Sequence, residues 1–488
     1  VVAMLQITAK RFWRWSRWRS GCILAYFLVE AIAFIRFQWL CRKLATCRTP
    51  LSRGFDFRGW RRFFVARLLA EAAKRPQDTR TFIERIFYNC SATSLTRGDI
   101  EAWLRMYLST FEDADRPPQW SAPRQIVGVQ SNVEEKQQDG EAGDWVQAEA
   151  LSLSNIVLEK PATEAEGVQA EAGSLRAALE ARLGFSFREG PKVQEFIRIN
   201  SAVTNHSPMS PIFYPLPIRA LRSSLRSLAD RAFVRLGFQS WRDDETGITY
   251  RHRGEGASGL LFVHGLGFGQ VPYIGLVWHL AKCYSGALIL MECPGMSGYE
   301  ARTGNVAPFP RPDEIADSIS RIKDTLRLNV LNGAGHSLGG MILSSVIKYK
   351  PELFRQIAFV ESPVAFFRAT DGWPDVFKEN TTKAFLEELQ GGRFRQILSS
   401  FLLAETWHQH VIHQAMWFWE YVHWEKSLDN RTLFVLGGKD EMAVPETAQW
   451  LAEEHPEVRV EVHSGRHGAI IQSPYSSWLA ATLTEFFN

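Results

Sequence analysis

The segment 329–349, NVLNGAGHSLGGMILSSVIKY, decides the fold that this sequence predicts. It begins as a short apolar run typical of a buried strand and ends with the periodicity of a helix. Between the two, Gly335 and Gly339 flank Ser337 in a G-x-S-x-G pattern. A serine on a sharp strand-to-helix turn has a strained backbone and close neighbouring chains, so small residues are needed on both sides. The pattern predicts that Ser337 is a nucleophile.

A second glycine-rich turn lies upstream, where the predicted strand 260–263 runs into His264-Gly265-Leu266-Gly267. Backbone N–H groups of such a turn stabilise the oxyanion of a tetrahedral intermediate, an effect of roughly 3–4 kcal/mol per donor. We expect the N–H of Leu266 or Gly267, together with that of Leu338, to play this part. The alternative is a tight turn without catalytic use, and His264 itself is expected to be structural.

Candidate acid and base residues follow the nucleophile along the chain. Asp440 comes after the strand 432–437, and a carboxylate at the carboxyl end of a parallel strand lies where open α/β sheets bind ligands. Glu361, at the end of the preceding strand, is the alternative acid. His467 follows the last predicted strand and is the candidate base. Nucleophile, acid and base thus occur in the order Ser, Asp, His.

The region from about 251 to 488 resembles the α/β-hydrolase superfamily of serine hydrolases. GHSLGG, HGLGFG, GGKDEMAVP and GRHG resemble its nucleophile elbow, oxyanion loop, acid loop and base loop. MECPGMSG at 291–298 resembles the D-x-P-G-x-G-x-S turn less closely, with Glu292 in place of Asp and Ser297 in place of the second Gly. Serine rather than aspartate as nucleophile disfavours epoxide hydrolases and haloalkane dehalogenases.

The predicted fold class is α/β, an α/β-hydrolase fold with a mostly parallel sheet covered on both faces, a helical cap insertion and an N-terminal helical region. Short β-type runs alternate with helical patterns after Pro215, and Phe238–Gly254 reads as an antiparallel hairpin at the edge. The insertion 371–430 is expected to cover the site. Its aromatic stripe is interpreted as packing, or alternatively as the lining of an apolar pocket for a lipid-like ester.

The rest of the chain divides into three predicted regions before the hydrolase domain at 176–488. Residues 1–55 are basic and aromatic and contain a possible membrane anchor at 21–41, residues 56–115 form a helical module, and residues 116–175 form a disordered linker. We expect the protein to be membrane-associated through the N-terminal segment, or alternatively cytoplasmic. The net charge of +3 gives no reason to expect nucleic acid as a partner.

The predicted function is hydrolysis of a small-molecule or lipid-like ester through a Ser-His-Asp triad and an acyl-enzyme. The alternatives are an acyltransferase on the same scaffold and a catalytically inactive, membrane-tethered interaction module. The cysteines show no CxxC pair, and His410 and His413 alone make a thin case for a metal. Neither a metal nor a cofactor is therefore expected. The sequence makes no prediction about the oligomeric state.

Overall fold

The computed structural model of the protein describes residues 25–36, 39, 57–87, 90–108, 164–194, 216–297, 309–364, 418–423, 428–440, 442–443 and 446–488. Within these ranges the strands form one eight-stranded sheet. They are β1 (Gln239–Arg242), β2 (Thr249–Arg253), β3 (Ser258–Val263), β4 (Ala287–Glu292), β5 (Val330–His336), β6 (Ile357–Val360), β7 (Thr432–Gly437) and β8 (Arg459–His463). Their order across the sheet is β1-β2-β4-β3-β5-β6-β7-β8.

The pairing pattern confirms the predicted mostly parallel sheet with an antiparallel edge. β1 and β2 form the hairpin, β2 pairs antiparallel with β4, and every pairing from β4 to β8 is parallel. β5 continues to His336, through the weak β-formers Gly333-Ala334-Gly335, because neighbouring strands hold these residues on both sides. The carboxyl ends of the parallel strands therefore meet at one edge.

Alternating side chains bury both faces of the sheet. In β3, Leu261 and Val263 belong to one apolar cluster, whereas Leu260 and Phe262 belong to the other. The first cluster takes in α7 (Pro312–Thr325), α8 (Leu338–Tyr349) and α10 (Glu446–Glu454). The second takes in α5 (Leu216–Arg235), α6 (Ile274–Cys283) and α11 (Tyr475–Phe487). Helices thus cover both faces, as predicted.

The N-terminal helical region contains α1 (Phe57–Lys74), α2 (Pro76–Ile86), α3 (Arg97–Leu108) and α4 (Glu164–Leu183). The linker prediction is therefore wrong for residues 164–175, which belong to α4. Ala172, Leu175 and Leu179 of α4 are buried at helical spacing against the other three helices. This helix is rich in Glu and Ala and has few apolar residues, so the sequence pattern did not predict a buried face. Its burial depends on partners that are distant in sequence.

The helical region packs directly against the part of the chain that contains the sheet. Lys74 Nζ lies 2.9 Å from a carboxylate oxygen of Glu454 on α10, and Arg75 pairs with the neighbouring Glu453. The guanidinium of Arg67 lies 5.4 Å from the centre of the Trp450 ring, within the range of a cation–π interaction. The contact combines ion pairs with an apolar cluster that is continuous with the sheet core.

Two sequence predictions fall largely outside the described residues. Of the predicted cap at 371–430, only residues 418–423 and 428–430 are described, and they include the short helix α9 (Phe418–Tyr421). Of the N-terminal segment, residues 25–36 are helical and residue 39 is described. Among the described residues, no helix has the length and apolar character needed to cross a membrane.

Close packing at the start of α8 leads to a prediction about Gly339. A Cβ atom there would lie 2.1 Å from the Val263 carbonyl oxygen, so Gly339→Ala should lower the free energy of unfolding by about 3 kcal/mol. At Gly173, inside α4, the nearest atom would be 3.8 Å away, and Gly173→Ala should raise stability by about 0.5–1 kcal/mol. Urea denaturation measures both, and equal effects would contradict this packing.

Candidate active site

The three predicted triad residues meet at the carboxyl edge of the sheet. His467 Nε2 lies 3.1 Å from Ser337 Oγ, and His467 Nδ1 lies 3.1 and 3.0 Å from the two carboxylate oxygens of Asp440. Ser337 follows β5, Asp440 follows β7 and His467 follows β8. A hydroxyl, an imidazole and a carboxylate in this arrangement can activate the hydroxyl as a nucleophile.

Ser337 has the strained backbone that a nucleophile elbow requires. Its φ of 51° lies in the left-handed region, which a non-glycine residue rarely occupies. Two hydrogen bonds hold the turn: the Ser337 N–H donates to the Val360 carbonyl at 2.9 Å, and the Ser362 hydroxyl donates to the Ser337 carbonyl at 2.6 Å. A Cβ atom on Gly335 would lie 2.5 Å from the Gly339 carbonyl carbon. The turn therefore excludes side chains at both glycines.

Asp440 and Glu361 have different partners. Asp440 Oδ1 accepts hydrogen bonds from the N–H groups of Met442 (2.7 Å) and Ala443 (2.9 Å), which orient its carboxylate toward His467. Glu361 is fully buried and accepts a hydrogen bond from His336 Nε2 at 2.9 Å. The geometry places Asp440, not the alternative acid Glu361, in contact with the candidate base.

The candidate oxyanion donors lie at the ends of β3 and β5. Leu338 is the first residue of α8, so its N–H has no acceptor within the helix. In the upstream loop, the Gly267 N–H donates to the Met296 carbonyl at 2.9 Å and the Gly265 N–H donates to the Tyr273 hydroxyl at 3.0 Å. Those two bonds leave Leu266 as the better of the two predicted donors in this loop.

Three residues near the triad were not singled out from the sequence: Tyr273, His336 and His463. The Tyr273 hydroxyl lies 2.6 Å from His336 Nδ1. His463 Nε2 lies 2.9 Å from Glu361 Oε1, in an electrostatic contact that does not have the geometry of a hydrogen bond. His336 stands inside the GHSLGG motif, but its single position in the sequence carries no sign of its partners.

Burial and hydrogen bonding set the charges in this cluster. Burial acts to raise the pKa of Glu361, but the hydrogen bond from His336 and the close contact with His463 outweigh it and hold that pKa well below its ordinary value. Burial lowers the pKa of His336 despite the neighbouring carboxylate, and burial raises the pKa of Tyr273. At neutral pH the cluster therefore combines a carboxylate with a neutral His336 and a neutral tyrosine.

Potential ligand atoms of His336, Glu361 and His467 lie within 4.8 Å of one another, a grouping that a metal ion could use. The same side chains are already engaged by protein partners: Tyr273 and Glu361 contact His336, and Asp440 and Ser337 contact His467. A metal ion would have to displace these contacts. The expectation that the site uses no metal stays a prediction.

Residues 260–480 match the family model described as "Alpha/beta hydrolase family". This region of the chain therefore carries the α/β-hydrolase sequence pattern, in a part of the chain that has the α/β-hydrolase fold. A comparison with curated proteins gave no match.

Among solved structures, this chain is similar to a membrane phospholipase A described as a bacterial virulence factor. The identity is 16%, the TM-score is 0.39, and the alignment covers 55% of this chain and 90% of the other. It is similar to naproxen esterase of Bacillus subtilis, with 14% identity, a TM-score of 0.39 and coverage of 57% and 100%. A carboxylesterase structure from Nitrososphaera gargenis has 15% identity, a TM-score of 0.37 and coverage of 51% and 98%. At these scores the likenesses carry no argument about substrate.

The chain departs from the D-x-P-G-x-G-x-S turn at Glu292, which is buried at the end of β4. Its carboxylate lies 3.5 Å from Arg226 Nη1 and 4.0 Å from His264 Nε2. Burial acts to raise the pKa of Glu292, but the electrostatic influence of His264 and Arg226 outweighs it and lowers that pKa. Burial also lowers the pKa of His264. Glu292 and His264 thus belong to a buried polar cluster outside the triad, consistent with a structural His264.

Proposed function

We propose that this α/β-hydrolase cleaves a carboxylic ester by nucleophilic catalysis. The observation that carries the proposal is the placement of His467 between Ser337 Oγ, 3.1 Å from Nε2, and Asp440, 3.0 Å from Nδ1. Asp440 fixes the imidazole with its proton on Nδ1, which leaves Nε2 free to accept the serine proton. The match of residues 260–480 to the family model adds support.

The reaction proceeds in two halves. Ser337 Oγ attacks the ester carbonyl carbon while its proton passes to His467 Nε2, and the N–H groups of Leu266 and Leu338 stabilise the oxyanion. His467 then gives that proton to the departing alkoxide, which leaves as the alcohol. The acyl group stays bound to Ser337 Oγ. Water attacks the acyl carbon with His467 as base, and the acid is released. Ser337 recovers its proton from His467.

The substrate class is tested with a panel of p-nitrophenyl esters of increasing acyl length. If the substrate is lipid-like, kcat/KM should rise with chain length from acetate to about decanoate, because each buried methylene contributes about 0.8 kcal/mol. Purified enzyme that turns over acetate and ignores the long esters would contradict the lipid-like part of the proposal. Loss of turnover on every member would contradict the ester part.

Two alternatives make different predictions in the same assay. An acyltransferase would release p-nitrophenol faster when a second alcohol is supplied, and mass spectrometry would find the new ester rather than the free acid. An inactive interaction module would neither hydrolyse any ester nor react with a fluorophosphonate. The contact of His467 with both Ser337 and Asp440 favours an active enzyme over an inactive module.

We also propose that the protein attaches to a membrane surface, and two described helical segments support this. Residues 25–36 are helical, and Phe27, Ile32 and Ile35 are largely exposed. On α5, Leu221 and Leu228 are about 60% exposed two turns apart on one face. Arg219 of α5 pairs with Glu30 at 3.0 Å, so the two exposed apolar faces are neighbours. Such faces beside arginine side chains are typical of interfacial helices.

Vesicle flotation tests this proposal. The full chain should float with phosphatidylcholine vesicles containing about 30% phosphatidylglycerol. The double variant Leu221→Ser with Leu228→Ser should lower the bound fraction several-fold, because it removes at most about 3 kcal/mol of binding free energy from the burial of the two leucine side chains. Val193→Ser with Val462→Ser removes two equally exposed apolar residues from other elements and is the matched control. Equal binding by both double variants would overturn this surface.

A further inference from the structure

The carboxylate of Glu361 connects two segments of the site, the turn at the end of β5 and the loop after β8. Oε2 accepts hydrogen bonds from His336 Nε2 at 2.9 Å and from the Gly468 N–H at 2.5 Å, and Oε1 lies 2.9 Å from His463 Nε2. Gly468 is the residue after the candidate base, and His336 is the residue before the nucleophile. The buried Glu361 side chain therefore contacts the residue before Ser337 and the residue after His467.

The chain of contacts continues from His336 to the oxyanion loop. His336 Nδ1 lies 2.6 Å from the Tyr273 hydroxyl, which accepts a hydrogen bond from the Gly265 N–H at 3.0 Å. Gly265 precedes Leu266, the candidate oxyanion donor. Contacts thus run from the oxyanion loop, through Tyr273 and His336 to Glu361, and from there to the base loop.

The donors fix every proton in this network. The Gly265 N–H can only donate, so the Tyr273 hydroxyl accepts from it and donates its own proton to His336 Nδ1. His336 therefore carries its proton on Nε2 and donates to Glu361. The Gly465 N–H donates to His463 Nδ1 at 3.1 Å, which places the His463 proton on Nε2, facing Glu361. A single protonation pattern satisfies the network, with one negative charge on Glu361.

Backbone strain marks the same residue. Glu361 has a φ of 45°, and it directly follows Val360, the strand partner of His336. A non-glycine residue in the left-handed region costs of order 1–3 kcal/mol and persists where surrounding structure holds it. Here the Glu361 N–H donates to the Val435 carbonyl at 2.7 Å. In this conformation the carboxylate contacts His336 at the end of β5 and His463 at the end of β8.

We propose that Glu361 is a positioning residue that, through His336 and Tyr273 on one side and Gly468 and His463 on the other, holds the oxyanion loop and the base loop in register around Ser337. This inference rests on the proposed function of the triad. Glu361 contacts no reacting atom, and its effect reaches catalysis through the loops that it holds. Its buried negative charge also favours the imidazolium form of His467, because a carboxylate oxygen of Glu361 and a ring nitrogen of His467 lie within 4.8 Å of each other.

The test compares three variants of the full chain by the rate of fluorophosphonate labelling and by the pH profile of that rate. Glu361→Gln keeps the shape but removes the charge and leaves one acceptor oxygen where three donors converge. Tyr273→Phe removes only the hydroxyl that joins the oxyanion loop to His336. Glu420→Gln alters another fully buried glutamate, which accepts a hydrogen bond from Tyr349 on α8, and is the matched control.

We expect labelling to slow by about 10- to 100-fold in Glu361→Gln and by about 10-fold in Tyr273→Phe, because small displacements of the reacting groups have effects of this size. Loss of the Glu361 charge should also move the acidic limb of the profile to lower pH, a change that a purely structural role would not produce. Glu420→Gln should keep the wild-type rate and profile. If Glu361→Gln does not fold, Tyr273→Phe still decides.

Two failures have different meanings. Wild-type protein that is folded and not labelled would contradict the proposed function. Wild-type protein that is labelled, together with folded Glu361→Gln and Tyr273→Phe variants that keep its rate and pH profile, would overturn the positioning role alone. Slower labelling in Glu420→Gln of the same size as in Glu361→Gln would also overturn it, because the effect would then follow from altering any buried glutamate.

Discussion

Replacing Ser337 with alanine should abolish both ester turnover and labelling by a fluorophosphonate. Without Oγ no acyl-enzyme forms, and a nucleophile knockout of this kind lowers kcat by roughly five to six orders of magnitude. The fold should be retained, because the lost atom contacts His467 and the turn itself is held by backbone and Ser362 hydrogen bonds. Thermal unfolding of the variant, followed by circular dichroism, measures that retention.

Ser344→Ala provides the matched control for this experiment. Ser344 is a fully buried serine in α8, the helix that starts directly after the nucleophile, and it lies two turns further along. Its replacement should leave the labelling rate within about two-fold of the wild type. Labelling of the folded Ser337→Ala variant would show that another residue is the nucleophile and would contradict the triad assignment.

Replacing Asp440 with asparagine should lower kcat/KM by about 10⁴-fold. The carboxamide N–H₂ would face His467 Nδ1 and hold the proton on Nε2, where it blocks acceptance of the serine proton. The N–H groups of Met442 and Ala443 would still donate to the side-chain amide oxygen at position 440, so the loop should keep its shape. The measurement is kcat/KM on the best ester of the panel.

The comparison with Glu361→Gln decides between the two candidate acids. That variant should lose about 10- to 100-fold, at least a hundred times less than Asp440→Asn, because Glu361 acts on loop position and not on the Nδ1 proton. Asp429→Asn changes an aspartate paired with Arg431 near the surface and should have no effect on turnover. A larger loss in Glu361→Gln than in Asp440→Asn would reverse the assignment of the acid.

The elements that the sequence predicted well are those with local signals. Ser337 lies between two glycines after a strand, and Asp440 and His467 each follow an apolar β-type run, so their shared edge follows from the parallel sheet alone. The hairpin over Phe238–Gly254 and the order of the strands along the chain have the same origin. The fold-class prediction is confirmed for the sheet, its helical cover and the N-terminal helical region.

The unpredicted features depend on contacts between residues distant in sequence. Nothing in the sequence around Tyr273, His336 and His463 indicates that they contact one another's partners. The folded sheet brings their polar atoms together, and because these atoms are buried they depend on the contacts described above. The helix α4 was missed for a related reason, since its buried residues find their partners in helices that lie about a hundred residues earlier. Local periodicity carries no information about such partners.

The order of strands across the sheet has a consequence for when the protein becomes active during folding. The candidate oxyanion loop follows β3 and the candidate base His467 follows β8, and every parallel strand between them has to pair before the two loops meet. Parallel pairing between strands far apart in sequence is slow compared with local structure. Catalytic activity should therefore emerge late in refolding, once β8 has joined the parallel strands that begin at β3. The rate at which activity returns would then measure the pairing of that last strand.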